Sequence, residues 1–287
     1  MKVLITGGTG VNGAATSRLL VSEGMRPVLM DNRMDLSLIG DIKDKVDLLE
    51  GDVTDFQALE KMVADYRITH IAHLAALMPE PAEENPRLAM RVGVDGTLNI
   101  LEVARAHKIS RIVFTSSKAV YGEMVGDFGE PRFLPVTEDH PKRPADLYGV
   151  IKVCCEELGQ YYWETYGVEF VALRFSTIYG PGKEARHGAL SFYGQLIEKT
   201  QAGEPWVIPQ GGDQRNDAVY VGDVARSIFL ALKAENLNRW VFNVGTGRGS
   251  TPREFLAVLK SLFPNEPLYD VDRGVRDYVN TIMRLRA

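Results

Sequence analysis

Two residues of this chain have the types and the spacing of a proton-transfer pair. Tyr148 and Lys152 stand four positions apart, so a helix through Tyr148-Gly149-Val150-Ile151-Lys152 lays them on one face. A phenol alone titrates near pH 10 and is a poor base at neutrality. An ammonium one turn away favours the phenolate, lowers that pKa and makes proton exchange with a substrate hydroxyl feasible. Y-x-x-x-K is a cheap pattern that often serves structure alone, so its weight depends on what the rest of the chain supplies.

The chain supplies a phosphate cradle. Gly7, Gly10 and Gly13 form G-x-x-G-x-x-G between a buried apolar run at residues 2–6 and a helix-like stretch at 14–23. Glycines there permit the turn and let backbone N–H groups approach a pyrophosphate at a helix N-terminus. Asp31 ends the next strand-like run, where an acid accepts from both ribose hydroxyls of an adenosine and repels a 2′-phosphate. That favours NAD over NADP, although Arg33 weakens the preference; the alternative for Asp31 is a solvated acid at a strand end. Asp52 suits an adenine amino group or the turn before the next helix, with Thr54 or Asp55 as its cap.

The elements that must position these residues alternate. Strands are expected at 27–30, 46–49, 68–73, 111–115 and 169–174, with helices between them. The alternation predicts an α/β fold, a Rossmann-type doubly wound parallel sheet. His73 closes the fourth strand and reads as a structural histidine. The small residues Ala75 and Ala76 after it let the chain pass under a flat cofactor. Asn85-Pro86 starts a helix to about residue 106, with Asn as cap and Pro at the first position. The fifth strand delivers Thr115-Ser116-Ser117, hydroxyls at the carboxyl end where ligands bind in such sheets. Residues 123–143 form a loop long enough to be a lid or a substrate wall. The helix carrying Tyr148 should open near Pro144 and run to about Tyr166.

Past Phe175 the rhythm changes. Helices are expected at about 189–201, 223–233 and from Thr251-Pro252, with short strands near Val207, at 218–221 and at 240–244. The expected organisation is a cofactor domain over residues 1–175 and a smaller mixed α/β substrate lobe over 176–287, interleaved with the first around a cleft. Met78, Met124 and Phe128 suit either a pocket lining or loop packing. His187 suits a solvated loop better than a substrate contact.

Composition sets the bounds. The chain has 287 residues, 45% hydrophobic, with a formal net charge of -5, which suits a globular body with a substantial core and argues against a nucleic-acid footprint. No apolar stretch reaches the length of a membrane span, and no signal peptide is expected, since the opening residues read directly as a strand. The two cysteines, Cys154 and Cys155, are adjacent and cannot staple the fold, so a reduced, cytoplasmic protein is expected. No metal site is expected.

Taken in order, Thr6-Gly7-x-x-Gly10-x-x-Gly13, Asp31, Gly51-Asp52-Val53, His73-Leu74-Ala75-Ala76, Ser116-Ser117-x-x-Val120-Tyr121-Gly122, Tyr148-x-x-x-Lys152, Arg174-Phe175-x-x-Ile178-Tyr179-Gly180-Pro181-Gly182 and Tyr220-Val221-x-Asp223-Val224-Ala225 resemble the extended short-chain dehydrogenase/reductase family, also called the NAD-dependent epimerase/dehydratase family. The resemblance spans nearly the whole chain. It implies NAD as cofactor, Tyr148 as acid/base on a substrate carbinol or carbonyl, Lys152 as the group that lowers its pKa and holds the nicotinamide ribose, and Ser117 as hydrogen-bond partner of the same substrate oxygen. It extends the cofactor contacts to Val11, Asn12, Asn32, Arg33, Val53, Leu74, Thr115 and Phe175, and the substrate contacts to Lys118, Thr177 and Arg215. A homodimer built from the helices around residues 85–106 and 144–166 is also implied.

The departures fall on the substrate side. Lys118 and Ala119 replace the acids that sugar-nucleotide 4,6-dehydratases carry after the catalytic hydroxyl, which argues against that activity. Thr177 replaces a usual Asn, Gly93 replaces another, Arg215 is displaced by one place beside Asn216-Asp217, and residues 264–272 replace a longer segment. Three functions therefore stay open. They are an epimerase of a sugar or nucleotide sugar, a dehydrogenase of a small hydroxy compound such as a sugar acid or hydroxy amino acid, and a non-catalytic NAD-binding sensor. For the second, residues 147–162 look similar to the threonine dehydrogenase branch.

Overall fold

The computed structural model describes residues 1–183, 191–204 and 212–262; the strand expected near Val207, His187 and the 264–272 segment lie outside them. The chain opens with β1 (Val3–Thr6), α1 (Val11–Ser22), β2 (Val28–Asp31), β3 (Asp47–Glu50), α2 (Phe56–Asp65) and β4 (His70–His73). After α3 (Pro79–Glu84), a helical run combines α4 (Pro86–Met90), one π-helical turn at Arg91–Asp95 and α5 (Gly96–His107). Next come β5 (Arg111–Ser117), a 3-10 turn at Lys118–Val120, α6 (Leu147–Tyr166), β6 (Phe170–Phe175) and β7 (Thr177–Tyr179). The described remainder holds α7 (Phe192–Gln201), β8 (Ala218–Tyr220), α8 (Val221–Lys233), β9 (Val241–Val244) and α9 (Pro252–Leu262).

Seven strands form one sheet in the order β3-β2-β1-β4-β5-β6-β9, and every pair is parallel. The strands are near-continuous apolar runs because both faces are covered. Successive residues point to opposite faces, and the core divides accordingly. Leu4, Ile71, Ile112 and Phe170 face one layer with Ile100, Leu101 and Ile151 from the helices. Val3, Ile5, Ala72, Val113 and Val171 face the other with Ala14, Leu20, Val224 and Ile228. This is the doubly wound sheet the alternation predicts, and its strand order reverses between β1 and β4, the place where such folds bind ligands.

Local chemistry sets the element ends. Asp146 caps α6 by accepting from Gly149 N at 2.7 Å, Asp55 caps α2 from Ala58 N at 3.0 Å, and Asn85 caps α4 from Leu88 N at 3.1 Å. Each satisfies a first-turn N–H that the helix leaves without an internal partner. The α6 cap lies at 146 rather than 144, which places Tyr148 in the first turn. Thr251 and Glu254 cap α9 reciprocally, at 3.0 Å each way, a capping box. Helix α1 begins at Val11, three residues ahead of expectation, with Gly10 extended as its cap. Gly13 therefore lies inside the first turn, where a Cβ would stand 2.4 Å from the Gly7 carbonyl oxygen. No side chain fits there.

The chain divides into two compact units, Met1–Ile178 with Val219–Gly245, and Tyr179–Ala218 with Thr246–Ala287. Residues 219–245 return to the first unit because β9 pairs with β6 and the buried face of α8 packs on the sheet. In the second unit, Leu196 of α7 and Leu259 of α9 share a small core with Phe192 and Phe255. Tyr193 adds a ring contact to Phe255 at 4.9 Å.

Candidate active site

The residues expected to hold the cofactor stand in or just beyond the carboxyl ends of six adjacent parallel strands. Gly7, Gly10, Val11, Asn12 and Gly13 follow β1; Asp31, Asn32 and Arg33 end β2; Asp52 and Val53 follow β3; Leu74, Ala75 and Ala76 follow β4; Thr115 lies in β5 and Phe175 ends β6. Asp31 accepts from Thr9 N at 3.1 Å and Thr9 Oγ1 at 2.7 Å. The glycine turn and Asp31 are thus held in one geometry. Thr9 was not singled out from the sequence, although a hydroxyl residue between the first two glycines was the available signal. Asp52 accepts from Thr54 N at 2.8 Å, so its carboxylate shapes the turn, while Asp55 takes the cap. Val53 is buried, and its carbonyl accepts from Asn99 Nδ2 at 2.9 Å. Phe175 is buried in the core opposite Ser117 in the sheet register.

Leu74 N and Ala75 N both donate to Thr6 Oγ1 at 3.2 Å, which draws the β4 exit against the glycine turn. Thr6 Oγ1 also lies 2.7 Å from His73 Nδ1, and His73 Nε2 lies 3.2 Å from Thr97 Oγ1. Both ring nitrogens are therefore partnered. Burial and the nearby Lys152 charge push His73 down to about 3, so it is a neutral structural histidine. The turn that excludes a Cβ at Gly13, the α1 N-terminus and an acid oriented by that same turn together fit a dinucleotide.

The residues expected to transfer the proton gather where β5 meets α6. Tyr148 and Lys152 share one face of α6, and Ser117 ends β5 and caps the following 3-10 turn by accepting from Ala119 N at 3.1 Å. The Ser117 hydroxyl hydrogen-bonds the Tyr148 phenol. Lys152 is buried; its Nζ donates to the Thr115 carbonyl at 2.6 Å and sits 4.5 Å from the Phe114 ring centroid and 5.4 Å from that of Tyr148. A pocket here is lined by Ala75, Ala76, Gly93, Phe114, Tyr148 and Lys152 among others.

One expectation is corrected in this chain. Lys152 does not bring the phenol down; burial pushes Tyr148 up to about 12, opposed by the Ser117 hydrogen bond. The part-exposed ring leaves its hydroxyl end enclosed. Burial also pushes Lys152 down to about 8, because a low-dielectric surrounding disfavours each charged form. The ammonium is held at the Thr115 carbonyl, and burial, with the nearby Asp146 charge, sets the direction of the Tyr148 shift.

The substrate-side residues are more dispersed. Lys118 is exposed directly after Ser117, and Thr177 begins β7. Arg215 belongs to the second unit, where its Nη1 donates to Gly249 O at 2.8 Å. Gly93, where an Asn was expected, faces Ile151: a Cβ would stand 2.4 Å from its Cγ2. The substitution lets α6 pack close to the π turn.

The model of the NAD dependent epimerase/dehydratase family matches residues 3–245. The chain belongs to this family. Among family members, a putative UDP-glucose 4-epimerase of Methanocaldococcus jannaschii is 32% identical over 275 residues, covering 94% of this chain and 86% of that protein. The UDP-glucose 4-epimerase of Thermus thermophilus, solved as a complex with NAD, superposes with a TM-score of 0.79 at 31% identity, covering 91% of this chain and 83% of that one. The UDP-glucose 4-epimerase of Thermotoga maritima, solved with UDP-glucose, gives 0.83 at 26% identity, with 94% and 85% covered. The fold shared with these relatives, one of them solved with NAD, is the sheet described above.

Proposed function

We propose that this chain is an NAD-dependent epimerase that inverts a carbinol of a nucleotide sugar, with a UDP-hexose and its C4 centre as the first candidate. The observation that carries the reading is the Ser117–Tyr148 hydrogen bond beside Lys152, at the ligand end of a sheet shared with UDP-glucose 4-epimerases. Tyr148 takes the carbinol proton as the oxygen becomes a carbonyl and gives it back on the return. Ser117 donates to that oxygen and holds it at the phenol. Lys152, whose Nζ is held by the Thr115 carbonyl, would hold the nicotinamide ribose of bound NAD. NAD, when bound, supplies the acceptor for the carbinol's hydride and, oxidised, a positive charge that favours the phenolate. Lys118 and Ala119 stand where a 4,6-dehydratase needs acids, which supports epimerisation without loss of water.

The dehydrogenase and sensor readings are less supported. The relatives above are epimerases, and a sensor has no need of all three of Ser117, Tyr148 and Lys152. The assembly proposed is a homodimer in the cytoplasm. Leu88, Leu98, Val150 and Tyr161 are 42, 37, 46 and 52% exposed on the helices α4, α5 and α6, an apolar set suited to a partner surface. Among the described residues no helix is long and apolar enough to cross a membrane.

The test is incubation with NAD and either UDP-glucose or UDP-galactose. Anomeric protons are followed by NMR and absorbance at 340 nm in parallel, beside a Tyr148→Phe control. A stereoisomer without net NADH, abolished by the control, is the expected result. Steady NADH accumulation without the stereoisomer overturns the epimerase reading.

A further inference from the structure

A second set of buried charges lies beside the site, and the proton-transfer steps make no use of it. Glu156 and Arg174 are 0 and 3% exposed. Arg174 Nε donates to Glu156 Oε1 at 2.9 Å and Nη2 to Oε2 at 2.7 Å. Glu156 lies one turn beyond Lys152 on α6 and also accepts from Ser116 Oγ at 2.6 Å, the residue before Ser117. The remaining nitrogen, Arg174 Nη1, donates to Tyr121 Oη at 2.7 Å and to the Glu138 carbonyl at 2.9 Å. Tyr121 Oη then donates to Asn243 Oδ1 at 2.6 Å. Asn243 Nδ2 donates to Val136 O and Asn243 N to Glu138 Oε1, both at 2.9 Å.

What this network grips is the loop at residues 123–143. Its neck is closed: Arg143 N donates to Val120 O at 3.0 Å. At Gly122, with φ +71°, a Cβ would meet the Arg143 carbonyl oxygen at 1.9 Å. The loop begins six residues after Ser117 and ends five residues before Tyr148, so the residues that carry the site's two hydroxyl groups flank it along the chain. Residues 136–138 at its far side are tied to β6 and β9 through Arg174, Tyr121 and Asn243. A buried ion pair contributes little net stability against an apolar replacement, while its fixed geometry specifies position.

We propose that Glu156, Arg174, Tyr121 and Asn243 are positioning residues that latch the 123–143 loop as a wall of the site. Resting on the epimerase reading, their task is to keep the ketone from leaving before it is reduced. The balance is simple. Oxidation of the carbinol passes a hydride to NAD and a proton to Tyr148; return of both to the carbonyl restores a carbinol. A ketone that escapes leaves one NADH behind, so escape is countable.

The experiment compares wild type with Tyr121→Phe, which keeps the ring and removes the hydroxyl joining Arg174 to Asn243, and with Asn243→Ala, which removes the side-chain ties to Tyr121 and to the Val136 carbonyl. Amide hydrogen exchange in residues 123–143 is expected to accelerate about tenfold or more in both, with exchange in β1, β4 and β5 unchanged. With a UDP-hexose, NADH formed per epimer is expected to rise at least fivefold, while the NAD dissociation constant stays within twofold of wild type. Unchanged loop exchange in a folded variant overturns the latch. Faster exchange with an unchanged NADH-to-epimer ratio overturns its role in retention. Wild-type protein that epimerises no nucleotide sugar overturns the functional reading and the retention role with it, and the exchange result alone then decides the latch.

Discussion

Tyr148 and Lys152 illustrate how spacing and environment divide the work. Spacing places both on one face, and it was legible because helix geometry is local. The direction of the pKa shifts was not legible, because desolvation depends on Thr115, Phe114 and the neighbouring strands that enclose the pair. Burial pushes the phenol up to about 12 and the amine down to about 8, so in the proposed reaction a phenolate would need a further positive charge beside it, which bound NAD would supply. Tyr148→Phe is expected to lower kcat by about 10²- to 10⁴-fold, the scale of one general acid–base group, with NAD affinity retained. The check is turnover by NMR beside a fluorescence titration with NADH. His73 makes the opposite point. Its place at a strand end suggested structure, and its partners Thr6 and Thr97, distant in sequence, establish that role in space.

At the scale of elements, the glycine turn and α1 carry the firmest expectation. Gly13→Val would drive its side chain into the Gly7 and Gly8 carbonyls, the former 2.4 Å from a Cβ. It is expected to abolish NAD binding while the far side of the sheet persists, measured by equilibrium dialysis with circular dichroism as the fold control. The ion pair between α6 and β6 sets a second expectation. Glu156→Leu leaves the Arg174 guanidinium buried without its carboxylate and is expected to destabilise by about 3–5 kcal/mol, read from urea melts. Strands, helices and the strand-to-site order were legible because periodicity and turn residues are written locally. The ties among Ser116, Tyr121, Glu156, Arg174 and Asn243 were not, since their chemistry appears only when separated elements meet. The one- and two-residue shifts of strand ends and the α6 cap at Asp146 reflect the softness of element boundaries.

For the whole molecule, His73 sets a pH dependence. Its folded pKa is near 3, below the unfolded value of about 6.5. Between those values the unfolded chain binds the extra proton, so this contribution to stability is present above about pH 6.5 and declines as pH falls toward 3. Acidification from pH 7 to 5 is expected to lose about 2 kcal/mol through this residue alone, and His73→Gln should flatten that part of the slope in melts at the two pH values. The sheet, with its two covered faces, was legible as a fold class from alternation alone. The return of residues 219–245 to the first unit was harder to see, because nothing local to β9 says which edge it will join. That return has a consequence for synthesis. A nascent chain that has emerged only to residue 178 holds β6 as an open sheet edge, and the strand that closes it, Val241–Val244, is made only after the whole of the 179–218 segment. Throughout that interval the ribosome-bound chain presents an unpaired parallel edge, the kind of surface that recruits other strands. Translation speed across residues 179–245, and any chaperone that shields β6 meanwhile, should govern how much of this protein reaches its folded state.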